Sequence, residues 1–135
     1  MKKRDCLRSS VELDIKRFGT EVILELVRDS LEGSKSIYLS VDMDAIDPAE
    51  APAVGNPSPE GVSVTQLLDL IEGLVDKRLV GFDLNEVSPH FDSGLTAIQA
   101  SYIVLETLYK FEKTLRASSH SSYTQPSQGL RNGCS

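Results

Sequence analysis

Apolar positions repeat with a helical period in three stretches of the 135-residue chain and run almost unbroken in two short stretches between them. Val22, Ile23, Leu26 and Val27 fall on one face of a predicted helix. Thr20 is placed to cap its start, and Gly33 lies where a helix end favours a left-handed residue. Val64, Leu67, Leu68, Ile71, Leu74 and Val75 form a clearer stripe, with Ser63 as its cap. A third helix opens at Thr96. Its expected core stripe is Ile98, Tyr102, Leu105 and Tyr109, flanked by Val104, Leu108, Phe111 and Leu115. Between them, Ser36 to Val41 and Leu79 to Leu84 are short and apolar almost throughout, as buried parallel strands are. The opening segment from Met1 to Arg17 alternates only at Val11, Leu13 and Ile15, which predicts a ragged entry with one short strand. From Asp47 to Gly61 the chain carries Pro48, Pro52, Pro57, Pro59 and Gly55, so neither helix nor central strand survives there. A loop of that length leaving a strand end is commonly functional.

The order is helix, strand, loop, helix, strand, loop, helix. That predicts an α/β fold, a three-layer α/β/α arrangement with a mostly parallel sheet. Ligands in such sheets bind at the carboxyl ends of the strands, and both acidic loops start there. Residues 1–116 form the expected domain. From Ala117 a serine-rich, low-complexity tail (117–135) is expected to be disordered.

The charge balance of 14 basic against 20 acidic residues, net −6, disfavours a phosphate backbone as partner, so no nucleic acid is expected. No apolar run approaches the roughly 18 residues of a membrane span. The charged start leads into no apolar segment, so no secretory signal is expected. Cys6 and Cys134 make neither a metal spacing nor a disulfide framework, which fits free thiols in a reducing cytoplasm.

The chemistry concentrates in two clusters. Asp42 and Asp44, two apart at a strand end, point the same way if strand geometry persists. Like charges held that close repel, and a hard divalent cation removes the conflict. An Asp-x-Asp by itself is weak evidence of a site, and loop capping and solvated charge account for most such pairs. A calcium loop starting at Asp42 is excluded, because Asp47 stands where glycine is needed and Ala53 where a bidentate Glu is needed.

The wider strings are more specific. Ser40-Val41-Asp42-Met43-Asp44-Ala45-Ile46-Asp47-Pro48-Ala49-Glu50-Ala51-Pro52 resembles the signature of the ureohydrolase family, the arginases and agmatinases. Val80-Gly81-Phe82-Asp83-Leu84-Asn85-Glu86-Val87-Ser88-Pro89, followed by Asp92 and Thr96-Ala97, resembles that family's last strand, substrate loop and final helix. The resemblance runs from about Phe18 to Leu115 and corresponds to the C-terminal part of the family's arginase-like fold. It implies a cytoplasmic hydrolase of polyamine metabolism with a pair of Mn²⁺ ions that lower the pKa of a water. Its substrate would be a guanidinium compound, with urea as product. The resemblance implies Asp42 and Asp44 as metal ligands. Glu86 would be the catalytic, substrate-binding residue that takes the guanidinium fork with two parallel bonds. Asp47 and Asp83 would be structural supports. His90 is expected to be an exposed loop histidine. Tyr102 and Tyr109 fall on the helix stripe and are expected in the core.

Several residues depart from the family pattern. The upstream Gly-Gly-Asp-His and Asp-Ala-His-x-Asp elements are absent, and no histidine precedes His90. Ala53 and Glu60 stand where agmatinases usually have glycine, and Val54 where they usually have threonine. Glu-Val-Ser-Pro leans towards agmatine over arginine as substrate. With two strands and open edges, the chain is expected to be a homo-oligomer, or marginally stable without the N-terminal half of the fold. Two alternatives stand beside this reading. One is a catalytically incomplete fragment or interaction module of the same family. The other is an Asp-x-Asp phosphatase of haloacid-dehalogenase type, for which Ile46 and the lack of a downstream Lys motif fit poorly.

Overall fold

The computed structural model describes residues 11–120. Cys6, Cys134 and the tail beyond His120 lie outside the described residues. Helices α1 (Val11–Phe18) and α2 (Thr20–Ser30) precede strand β1 (Ile37–Asp42). A 3-10 turn, Met43–Ala45, leads into the long loop. Helix α3 (Val64–Leu74) and strand β2 (Leu79–Asn85) follow, then a second 3-10 turn, Pro89–Phe91, and helix α4 (Leu95–His120). The strands pair in parallel, with Leu39 opposite Phe82, Ser40 opposite Asp83, Val41 opposite Leu84 and Asp42 opposite Asn85. The α/β class and the parallel sheet agree with the sequence pattern.

The alternation of the two strand faces decides where the core lies. Val41 is buried, and Leu39, Phe82 and Leu84 pack against a core built from Ile23, Met43, Ile46, Val62, Ile71 and Ile103. The opposite face carries Tyr38, Ser40 and Asp42 exposed, with Gly81, Asp83 and Asn85 across from them. Tyr38 lies over Gly81 so closely that a Cβ there would stand 2.4 Å from its ring. Among the described residues the helices therefore cover one sheet face. No described helix is long and apolar enough to cross a membrane.

Helix starts and stops follow local chemistry. Ser63 and Gln66 make a reciprocal capping box at the start of α3, as expected of Ser63. Gly33 adopts φ +78, the left-handed conformation expected beyond α2. Thr20 does not cap α2. Gly19 stands at the cap with φ 85 and its N–H bonded to Ile15 O at 2.8 Å, so the chain has already turned and Thr20 lies inside the helix.

Two further expectations are corrected. The segment around Val11, Leu13 and Ile15 is helical, not a strand. Val11, Ile15 and Phe18 have helical spacing, and three alternating positions are too few to decide against it. On α4 the buried residues are Thr96, Ala100, Ile103 and Thr107, while Ile98, Tyr102, Leu105 and Tyr109 are exposed. Small side chains let the helix lie close to its neighbours, so Tyr102 and Tyr109 are surface residues and not core. The helix runs on to His120, past the expected start of the tail at Ala117.

Candidate functional site

Strand geometry ends at Asp42. The backbone turns at Met43, whose side chain is wholly buried, and Asp42 caps the turn by accepting the Asp44 N–H at 2.9 Å. The spacing of the two carboxylates is therefore that of a capped turn and not of an extended strand. Asp44 accepts the Asn56 N–H on Oδ1 at 3.1 Å, and its carbonyl accepts the Ser58 N–H at 3.2 Å. The proline-rich loop thus folds back onto Asp44.

The loop closes at its base. The Asp47 N–H donates to Val62 O and the Val62 N–H to Ala45 O, both at 2.9 Å. A Cβ at Gly61 would stand 2.6 Å from Asp47 N and 2.7 Å from Ala45 O, so only glycine allows this closure. Asp47 accepts the Ala49 N–H at 2.9 Å and Lys16 Nζ at 3.3 Å. The Ala49 N–H first, and Lys16 with it, hold its carboxyl below the usual range. Lys16 also bonds Glu60 at 3.0 Å. Glu50 accepts the Val64 N–H at 2.8 Å and so ties the loop to the start of α3.

The second cluster sits one strand over. Asp83 accepts Ser40 Oγ at 2.8 Å and Asn85 Nδ2 at 3.1 Å on the exposed sheet face. Those bonds, Ser40 first and Tyr38 next, lower its pKa, and Asp83 in return raises that of Tyr38. Glu86 follows Asn85, which pairs with Asp42. It is exposed, with φ 62, and a Cβ on Gly55 would stand 3.4 Å from its Oε2. The Ser88 N–H bonds Ala53 O at 2.8 Å and joins the two loops. His90 is exposed on the turn Pro89–Phe91.

Asp42 and Asp44 thus stand at the end of β1 and Glu86 just past the end of β2, while Asp47 lies at the base of the first loop and Asp83 on the exposed sheet face. Among the described residues no Lys or Arg bonds Asp42, Asp44 or Glu86. From the sequence, Asp92 belongs only to a motif, and Thr96 to that motif and to the expected start of the third helix. They bond each other, and Thr96 also bonds Ala53. Local spacing showed only that they lie near the start of a helix.

The comparisons with known proteins decide what this arrangement is related to. The sequence model of the arginase family matches residues 8–109. The chain belongs to the arginase family. It is 41% identical over 93 residues to proclavaminate amidinohydrolase of Streptomyces clavuligerus, covering 68% of this chain and 29% of that protein. It is 44% identical over 82 residues to the mitochondrial guanidino acid hydrolase of Homo sapiens, covering 60% of this chain and 23% of that one. Among solved structures, the agmatine ureohydrolase of Thermoplasma volcanium superposes with a TM-score of 0.71 at 40% identity, over 78% of this chain and 35% of that chain. The chain therefore spans less than a third of the length of these two curated relatives. Family membership displaces the phosphatase reading of Asp-x-Asp.

The carboxylates present fit a hard divalent cation in kind, since Asp42 and Asp44 each use Oδ1 on a backbone amide. In number they fall short. No group of three or more His, Cys, Asp and Glu in a metal-holding arrangement occurs among the described residues.

Proposed function

We propose that this chain carries the C-terminal share of a ureohydrolase site that hydrolyses a guanidinium compound, agmatine-like, to an amine and urea with Mn²⁺. The observation that carries the reading is the placement of Asp42, Asp44 and Glu86 at the carboxyl ends of two paired parallel strands in an arginase-family chain. Asp42 and Asp44 would supply two hard oxygen ligands, their other oxygens being oriented by the turn and by Asn56. Manganese, when bound, supplies the means of making a strong nucleophile from water near neutral pH. Glu86 would accept the planar N–H fork of the guanidinium and hold its carbon in place. The names of the relatives favour amidine and guanidine substrates as a class. Glu-Val-Ser-Pro favours agmatine within it.

The short donor set favours a second reading, in which the chain holds half a site and the remaining ligands come from elsewhere. A calorimetric Mn²⁺ titration of the full chain, with urea release from agmatine measured in the same buffer, separates the two. Two tight sites and urea release that Asp42→Asn abolishes would mean a complete centre. Weak Mn²⁺ binding lost in Asp42→Asn, without urea release, would mean half a site. Binding that Asp42→Asn leaves unchanged overturns the ligand assignment. Glu86→Gln is expected to leave Mn²⁺ affinity alone and to lower urea release, or guanidinium binding, about a hundredfold.

A further inference from the structure

We propose that Thr96 is a positioning residue, whose buried hydroxyl sets the two loops bearing Asp44 and Glu86 against each other. The inference rests on reading those carboxylates as site residues. Thr96 is fully buried at the start of α4, outside both loops. Its Oγ1 donates to Asp92 Oδ2 at 2.7 Å and accepts the buried Ala53 N–H at 2.9 Å. Asp92 is itself held, accepting the Thr96 N–H on Oδ2 at 2.9 Å and the Gly94 N–H on Oδ1 at 2.7 Å. A hydroxyl has one proton. With that proton committed to Asp92, a lone pair is left for Ala53.

Ala53 is the junction. Its N–H is on Thr96, and its carbonyl accepts the Ser88 N–H at 2.8 Å. Two residues beyond it, Gly55 lies under the Glu86 carboxylate, and the next N–H, that of Asn56, holds Asp44. Two residues before Ser88, Glu86 adopts φ 62, a conformation a non-glycine residue keeps only where its surroundings impose it. The Ser88 bond to Ala53 is one such constraint. One residue, Ala53, thus links the helix, the metal-side loop and the substrate-side loop through its two flanking peptide groups, and Thr96 orients it.

A valine at this position keeps the volume but leaves the Ala53 N–H buried without a partner, so the loop must shift to find one. The test compares Thr96→Val and Thr96→Ser in the full chain. Amide hydrogen exchange is followed at Ala53, Ser88 and, as a core reference, Ile71. Mn²⁺ affinity is measured by calorimetry. In Thr96→Val, Ala53 and Ser88 are expected to exchange about tenfold faster while Ile71 is unchanged, and Mn²⁺ binding to weaken about tenfold. Thr96→Ser, which keeps the hydroxyl, is expected to restore both to within about twofold. Unchanged exchange at Ala53 and Ser88 overturns the proposal, and so does a loss spread equally to Ile71. Should Thr96→Val not fold, Asp92→Asn is measured the same way. Faster exchange at Ala53 and Ser88 then supports the proposal, and unchanged exchange overturns it. Failure of the wild-type chain to bind Mn²⁺ would count against the ligand reading, while the exchange data still decide the role of Thr96.

Discussion

Glu60 and Glu86 hold left-handed backbone conformations, φ 63 and φ 62, that glycine adopts without cost. At Glu60, where agmatinases usually have glycine, the side chain gains an ion pair with Lys16 at 3.0 Å. Glu60→Ala keeps the backbone strain and loses the ion pair, whereas Glu60→Gly loses the ion pair and relaxes the strain. The glycine variant is therefore expected to be the more stable of the two by about 1 kcal/mol in urea unfolding. Asp92 gives the acid limb a definite sign. Its carboxyl is held below the ordinary 3.8, first by the Thr96 N–H and then by the Thr96 hydroxyl. A depressed folded pKa contributes stability that is present above 3.8 and lost as pH falls through the folded value. Asp92→Asn should flatten that limb in unfolding curves taken from pH about 5 downward. At the alkaline end, Asp83 holds the Tyr38 hydroxyl above 10.0, first through their hydrogen bond. Its contribution is present below 10.0 and lost as pH rises through the raised value. Asp83→Asn should bring one tyrosine back towards 10.0 in an ultraviolet tyrosinate titration.

At the scale of elements, the close approach of α2 and α3 turns on Gly73. Its carbonyl accepts Arg28 Nη2 at 2.9 Å and Nε at 3.2 Å, and a Cβ there would stand 2.6 Å from both methyl carbons of Leu24. Helix propensity alone favours alanine over glycine by about 1 kcal/mol. Overpacking against the buried Leu24 outweighs it. Gly73→Ala is expected to destabilise the chain by about 1–2 kcal/mol, read from the urea midpoint. A gain in stability would mean that the two helices have room to separate. The same scale shows what the pattern could and could not reveal. The stripe on α3, the cap at Ser63 and the two strands were legible because each is decided within a few residues. On α4 the stripe of Ile98, Tyr102, Leu105 and Tyr109 expected in the core faces outward. A helix apolar on several faces leaves the choice to its neighbours, and the neighbours here select Thr96, Ala100, Ile103 and Thr107.

For the whole molecule, that outward stripe is the main consequence. Ile98 is 67% exposed and Leu105 64%, and Leu108 lies with Val80 and Phe82 along an open groove beside β2. Among the described residues the two-stranded sheet leaves one edge of each strand unpaired. Self-association or low stability is the expected behaviour of the isolated chain. Sedimentation equilibrium should show association that weakens in an Ile98→Lys, Leu105→Lys double variant. A monodisperse monomer with a sharp, high thermal transition would contradict this expectation.

The sequence by itself determined the order of the elements from α2 to α4, the parallel pairing and the family. Each follows from period, turn residues and motif spacing, all of which are local. Tertiary structure alone decided that Glu86 lies over Gly55, that Lys16 ties down the first loop, and that Thr96 meets Ala53. Those contacts join residues about 30 to 45 positions apart. The partner in each is selected by the folded path of the loops, which depends on close approaches at Gly61 and Gly55 that no local pattern encodes.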